Sequence, residues 1–144
     1  MSETPQLPKT LTASEANELL PKVKLLVERL QGLQHSIIQT NHQLDEAVRK
    51  LAQGNGYPVQ AVREEVRQLT AQQLKLIETF QSALKELEGL GAQVKDVTKG
   101  LIDFYSLRND ELVFLCWKLG EEHIQFWHTL EAGFAGRQLL DWPA

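Results

Sequence analysis

Carboxylate, thiol, imidazole and guanidinium groups gather in the last third of this 144-residue chain, as Asp103, Cys116, Glu121, His128, Glu131 and Arg137. Eight of the ten aromatic residues lie beyond residue 100 beside them, so any chemistry is expected there. If the stretch after Gly120 forms a short helix, Glu121, Ile124, Trp127, His128 and Glu131 share one face through steps of three, four and seven. Gly133-Phe134-Ala135-Gly136 then lets the chain fold back and bring the Arg137 guanidinium toward that face, where it suits a carboxylate or phosphate. Glu121, His128 and Arg137, joined by Asp103 and Glu15, are thus the candidate lining of one polar pocket for a small anionic molecule or a protein carboxylate. The competing outcome is a structural network in which Arg137 pairs with Glu121 or Glu131.

A divalent metal is the rival occupant. His128 with Glu121 or Glu131, and Asp103 or Cys116 as further donors, supplies ligand types that such ions accept. No paired-cysteine signature, His-Glu-x-x-His helix or EF-hand loop accompanies them. Cys116 with His128 has the composition of a nucleophile pair, but a cysteine inside an apolar run reads as core. No residue is therefore assigned as catalytic, and the reading leans away from an enzyme.

Composition narrows the field. A lone cysteine excludes an intrachain disulfide framework and fits a reducing compartment, the cytoplasm. The formal net charge is -4 and no region is basic, so a nucleic-acid surface is unsupported. No apolar run approaches the roughly 18 residues of a membrane span, and residues 1–9 lack the basic and apolar parts of a signal peptide.

Long helices are expected to carry this region. Thr12 and Glu15 have capping-box spacing, after which Ala16, Leu19, Val23, Leu26, Leu30, Leu33, Ile37, Leu44, Ala47 and Leu51 recur at coiled-coil intervals. Pro21 removes one hydrogen bond early in that helix. Gln53 to Pro58 reads as a reversal, and a second stripe runs from Val59 to Leu90 before Gly89 and Gly91 end it. Antiparallel pairing of Leu51 with Val59 places Ile37 near Gln73, so that Thr40, Asn41 and Gln73 form a polar layer that fixes register. Two such helices leave an apolar flank uncovered, and a homodimer is the expected cover.

Leu101–Tyr105 and Leu112–Trp117 favour strands around an Arg108-Asn109-Asp110-Glu111 turn. Pairing through that turn sets Asp103 opposite Cys116 and puts Ile102, Phe104, Val113, Leu115, Trp117 and Leu119 on one face. Asp103, Cys116 and Lys118 fall on the other, where an Asp103–Lys118 ion pair is the simplest expectation.

The chain resembles the prokaryotic family known as domain of unknown function 2203. The resemblance lies in Glu15-Ala16-Asn17 with Leu20-Pro21, in Gly100-Leu101-Ile102-Asp103-Phe104, and in Leu115-Cys116-Trp117-Lys118-Leu119-Gly120-Glu121. It continues through Ile124, Trp127-His128 and Gly133-Phe134-Ala135-Gly136-Arg137. It implies no established activity and supplies no catalytic residue. The expected architecture is α+β and mostly α, in one domain over 1–144. A long antiparallel helical hairpin over 12–90 packs against a 100–137 region with a two-stranded β-hairpin, a short C-terminal helix and a glycine-rich tail. Its expected role is a binding or assembly module, with a small metal-dependent enzyme as the alternative.

Overall fold

A computed structural model of the chain describes residues 8–54 and 56–142. Most of the expected leader-free stretch, residues 1–7, and Asn55 of the interhelix reversal lie outside the described residues. Two long helices, α1 (Ala13–Gln53) and α2 (Val59–Gly89), are followed by a five-stranded antiparallel sheet. Its strands are β1 (Ala92–Asp96), β2 (Leu101–Arg108), β3 (Glu111–Lys118), β4 (Phe126–His128) and β5 (Gln138–Leu139), paired in sequence order. No helix among the described residues is long and apolar enough to cross a membrane.

The residues group into two compact units, 29–83 and 1–28 with 84–144. In the first, α1 and α2 pack together in the expected register. Gln73 Nε2 donates to the Ile37 carbonyl at 3.0 Å and to Asn41 Oδ1 at 2.9 Å. Thr40 is buried nearby, but its hydroxyl donates to the Ser36 carbonyl within its own helix. The polar layer is therefore a Gln73–Asn41 clasp. One buried acceptor, Gln73 Oε1, has no partner.

In the second unit α1 begins at the capping box: Glu15 N donates to Thr12 Oγ1 at 3.1 Å and Thr12 N to Glu15 Oε1 at 2.9 Å. The Thr12 N–H first, and the Thr12 side chain second, hold the Glu15 carboxyl below its ordinary range. Pro21 lies inside an otherwise continuous helix. Ala16, Leu20 and Val23 of α1 and Leu87 of α2 are buried in this unit together with Ile102, Phe104, Leu115 and Trp117 of the sheet. Two bonds stitch the N-terminal segment to the sheet region: Leu11 N donates to the Tyr105 carbonyl, and Ile124 N to Asn17 Oδ1 at 2.7 Å.

The β2–β3 hairpin has the predicted register, Asp103 with Cys116 and Ile102 with Trp117. Asn109 and Asp110 form its two-residue turn, both with positive φ (50° and 66°), the conformation whose twist suits a tight hairpin. Two expectations are corrected. The sheet has five strands rather than two, because β1 adds to one edge of the hairpin and β4 and β5 to the other. The short helix after Gly120 does not form: Phe126–His128 pairs with Phe114–Cys116 as a strand, and the helical element near the C-terminus is a single 3-10 turn, Phe134–Gly136. A lone two-turn helix is marginal, whereas an extended segment beside β3 gains ladder hydrogen bonds at once.

Gly100 closes the β1–β2 turn at φ 67°, and a Cβ there would lie 2.6 Å from Leu119 Cβ. Gly100→Ala is expected to cost on the order of 2 kcal/mol through left-handed strain and this clash. For a chain of this size that is a fall of roughly 4–8 °C in Tm. Thermal unfolding followed by circular dichroism checks it, and an unchanged Tm would contradict the turn geometry.

Candidate functional site

Alternation along the strands decides which side chains meet. Residues directly opposite in an antiparallel pair share a face, so Asp103, Cys116 and Phe126 lie on one side of the sheet, as do Tyr105, Phe114 and His128. Lys95 of β1 projects to this same side and lies over the Phe114 ring, 4.6 Å from its centroid. The chain leaving β4 passes over that face. Leu130, Glu131, Gly133 and Phe134 form one wall of a cleft of about 230 Å³ whose floor contains Asp103, Cys116 and His128.

The floor is buried and hydrogen-bonded. His128 Nε2 lies 3.0 Å from Asp103 Oδ2, with the two side chains 2% and 4% exposed. His128 Nδ1 lies 2.7 Å from the Thr129 carbonyl. A carbonyl can only accept, so Nδ1 carries a proton, and Nε2 is the nitrogen turned to the carboxylate. Asp103 is therefore paired with His128, in place of the expected exposed pair with Lys118, whose Nζ lies over the Phe134 ring instead. The Cys116 thiol is buried against the same carboxylate. Burial first, and then Asp103, push it up to about 12, against a smaller opposing pull from Arg137.

Glu121 and Arg137 make a second cluster beside this floor. Gly120 turns the chain at φ 107°, Lys118 N donates to Glu121 Oε1 at 2.7 Å, and Trp117 Nε1 donates to the Glu121 carbonyl. Arg137 Nη2 donates to both Glu121 oxygens, at 2.7 and 2.8 Å, and reaches the Cys116 carbonyl at 3.4 Å. Its guanidinium is stacked between Phe126 and Phe134, 4.0 and 4.6 Å from the ring centroids. Planar, charged and flanked by two ring faces, it fastens the glycine-rich tail to the sheet.

The candidate residues thus separate. Asp103 and His128 come together on the cleft floor, Glu131 lies in its wall, and Glu121 and Arg137 bond each other. Glu15 serves the helix cap. Cys116 and Lys95 complete the cleft. Cys116 is legible from the hairpin register, whereas Lys95 is not, because β1 is short and mostly polar.

Arg137→Ala leaves a half-buried Glu121 carboxylate without its cation and is expected to cost about 2 kcal/mol, read as a fall in Tm. Arg137→Lys should recover little of this, since an ammonium cannot stack between the rings, and full recovery would contradict the stacking role. With burial pushing the folded thiol up to about 12, Cys116 is held as the unreactive thiol at pH 8, so a disulfide-exchange reagent should label it only after denaturation. The sign of the linked stability is set by the raised value. Cys116 stabilises the fold below its ordinary 9.0, and that contribution is lost as pH rises from 9 toward 12. A Cys116→Ala protein should show less alkaline destabilisation over that window.

No curated protein and no solved structure matches the chain. A family model described as "Uncharacterized conserved protein (DUF2203)" matches residues 9–140, which takes in the cap, both helices and the whole sheet. The chain belongs to the DUF2203 family.

Proposed function

We propose that this protein is a binding module whose ligand occupies the cleft above Asp103, Cys116 and His128, and that it works in the cytoplasm as a homodimer assembled through its helices. The observation that carries the cleft reading is the burial of three unlike polar side chains at the floor of an open depression. Buried polar groups are costly unless each is satisfied, and a purely structural core has no need to gather a carboxylate, a thiol and an imidazole at a surface opening.

The size of the cleft limits the occupant. At about 230 Å³ it lies below the roughly 300 Å³ at which pockets begin to enclose drug-sized molecules. An ion, a ligand of a few atoms or one side chain of a partner fits. Arg137 is engaged by Glu121, so the cation beside the floor is Lys95, and an anionic ligand would be met there. The protonated state of Cys116 favours binding over nucleophilic catalysis.

Support for assembly comes from the 29–83 unit, where Ile38, Val48, Leu74 and Ile77 are 50%, 51%, 59% and 37% exposed. Large apolar side chains on two neighbouring helices are removed from water when a second copy packs on them.

Light scattering at micromolar concentration should give about twice the 16.3 kDa chain mass, and Ile38→Asp with Leu74→Asp should return it to one chain. Wild type that stays monomeric would reject the dimer. For the cleft, small carboxylates and phosphates titrated into isotopically labelled protein should shift the amide signals of Lys95, Leu130 and Phe134 together. Shifts confined to other parts of the molecule would reject that reading.

A further inference from the structure

We propose that Asp103, Cys116 and His128 form a site for one divalent transition-metal ion of the zinc class at the floor of the cleft. The proposal rests on the cleft being the binding site and names its occupant.

Three features of the geometry point to a metal. The carboxylate oxygen, thiol sulfur and imidazole nitrogen all lie within 4.8 Å of one another. Bonds of about 2.0–2.3 Å in a tetrahedral site separate ligand atoms by roughly 3.3–3.8 Å, so opening the 3.0 Å Asp103–His128 contact and drawing in the widest pair by about 1 Å would close the set. The three residues stand on the adjacent strands β2, β3 and β4, whose ladders fix their spacing before any ion arrives.

The second feature is the orientation of the histidine. Metal-bound imidazole commonly donates its other N–H to a backbone carbonyl or carboxylate, which fixes the tautomer. His128 Nδ1 already faces the Thr129 carbonyl in this way, leaving Nε2 turned to the other two ligands. Nε2 of that tautomer and Oδ2 of a carboxylate are both acceptors. A metal ion placed beside this pair takes a lone pair from each atom, 3.0 Å apart as they already stand.

Charge supplies the third. One carboxylate and one thiolate neutralise a divalent ion, so the loaded site adds no net charge to a buried position. A sulfur ligand with one nitrogen and one oxygen selects zinc-like ions over magnesium or calcium, which take oxygen donors. Loading converts the Cys116 thiol to the thiolate ligand and releases its proton to solvent. Three protein ligands also leave a coordination position for a small ligand from the cleft.

Cobalt(II) added to the purified metal-free full-length protein is the test, because it reports its own ligands by absorption. Cys116 is the only cysteine, so a near-ultraviolet thiolate-to-cobalt charge-transfer band can come from no other residue. One equivalent of Co²⁺ per chain should bind with this band and with visible bands of tetrahedral intensity, and equimolar Zn²⁺ should displace it. Cys116→Ala should abolish the charge-transfer band. Asp103→Asn should weaken binding by at least the roughly 10- to 100-fold that loss of an outer-shell partner costs. If either variant fails to fold, the wild-type band and stoichiometry decide alone. Absence of binding, or binding without the thiolate band, overturns the metal site. In that case small-anion shifts at Lys95, Leu130 and Phe134 would keep the cleft as a binding site, and their absence as well would remove both readings.

Discussion

The two-residue turn at Asn109-Asp110 fixes the β2–β3 register, and the arrangement of the sheet unit depends on that register. It sets Asp103 across from Cys116 on one face and Phe104 across from Leu115 on the other. A slip of one residue would send every side chain of β2 to the opposite side of the sheet, moving Asp103 into the apolar layer and Ile102 out of it. Positive φ at both turn residues, in types that tolerate it, excludes the neighbouring loop lengths that would permit the slip. Turn chemistry and hydrophobic pattern therefore select the same pairing, and β1 and β4 add to an edge whose facing is already decided.

Against that frame the polar face could have remained a solvated surface, the ordinary fate of one side of an antiparallel sheet. It did not, because the tail from Thr129 to Arg137 crosses it. The crossing is held by Glu121 and Arg137, whose contact joins the turn after β3 to the segment before β5, and by Phe126 and Phe134 on either side of the guanidinium. Covering the face buries Asp103, Cys116 and His128. Isolated, any one of them would destabilise the fold; together they satisfy one another. Glu121 and Arg137 thus act as positioning residues for the cleft and leave its floor to the other three.

The helical unit follows a different logic. Its apolar stripes would permit sliding by whole heptads, and one polar clasp removes that freedom, since Gln73 finds acceptors at Ile37 and Asn41 only in a single register. The same hairpin leaves large side chains exposed on both helices, so satisfying the register did not require covering every apolar residue.

By itself the sequence determined what depends on near neighbours: the capping box at Thr12 and Glu15, the helical stripes with their register, the glycine stops, and the β2–β3 hairpin down to the opposition of Asp103 and Cys116. The cap, the stops and the hairpin are set by contacts a few residues apart or by one turn with a fixed geometry, and the helical register is readable because a polar position interrupts each stripe at the same height. Tertiary structure decided the rest. Residues 121–131 satisfy the helical steps of three, four and seven, and that pattern cannot reveal that β3 offers an open edge to Phe126–His128. Ala92–Asp96 carries too little apolar alternation to be read as a strand and exists as one because β2 is beside it. His128 meets Asp103 and not Glu121 because strand alternation replaced helical periodicity, which moved the imidazole to the face where a carboxylate was already buried. Nothing local to either residue specifies that partner, since the choice is made by the order in which the strands add to the sheet.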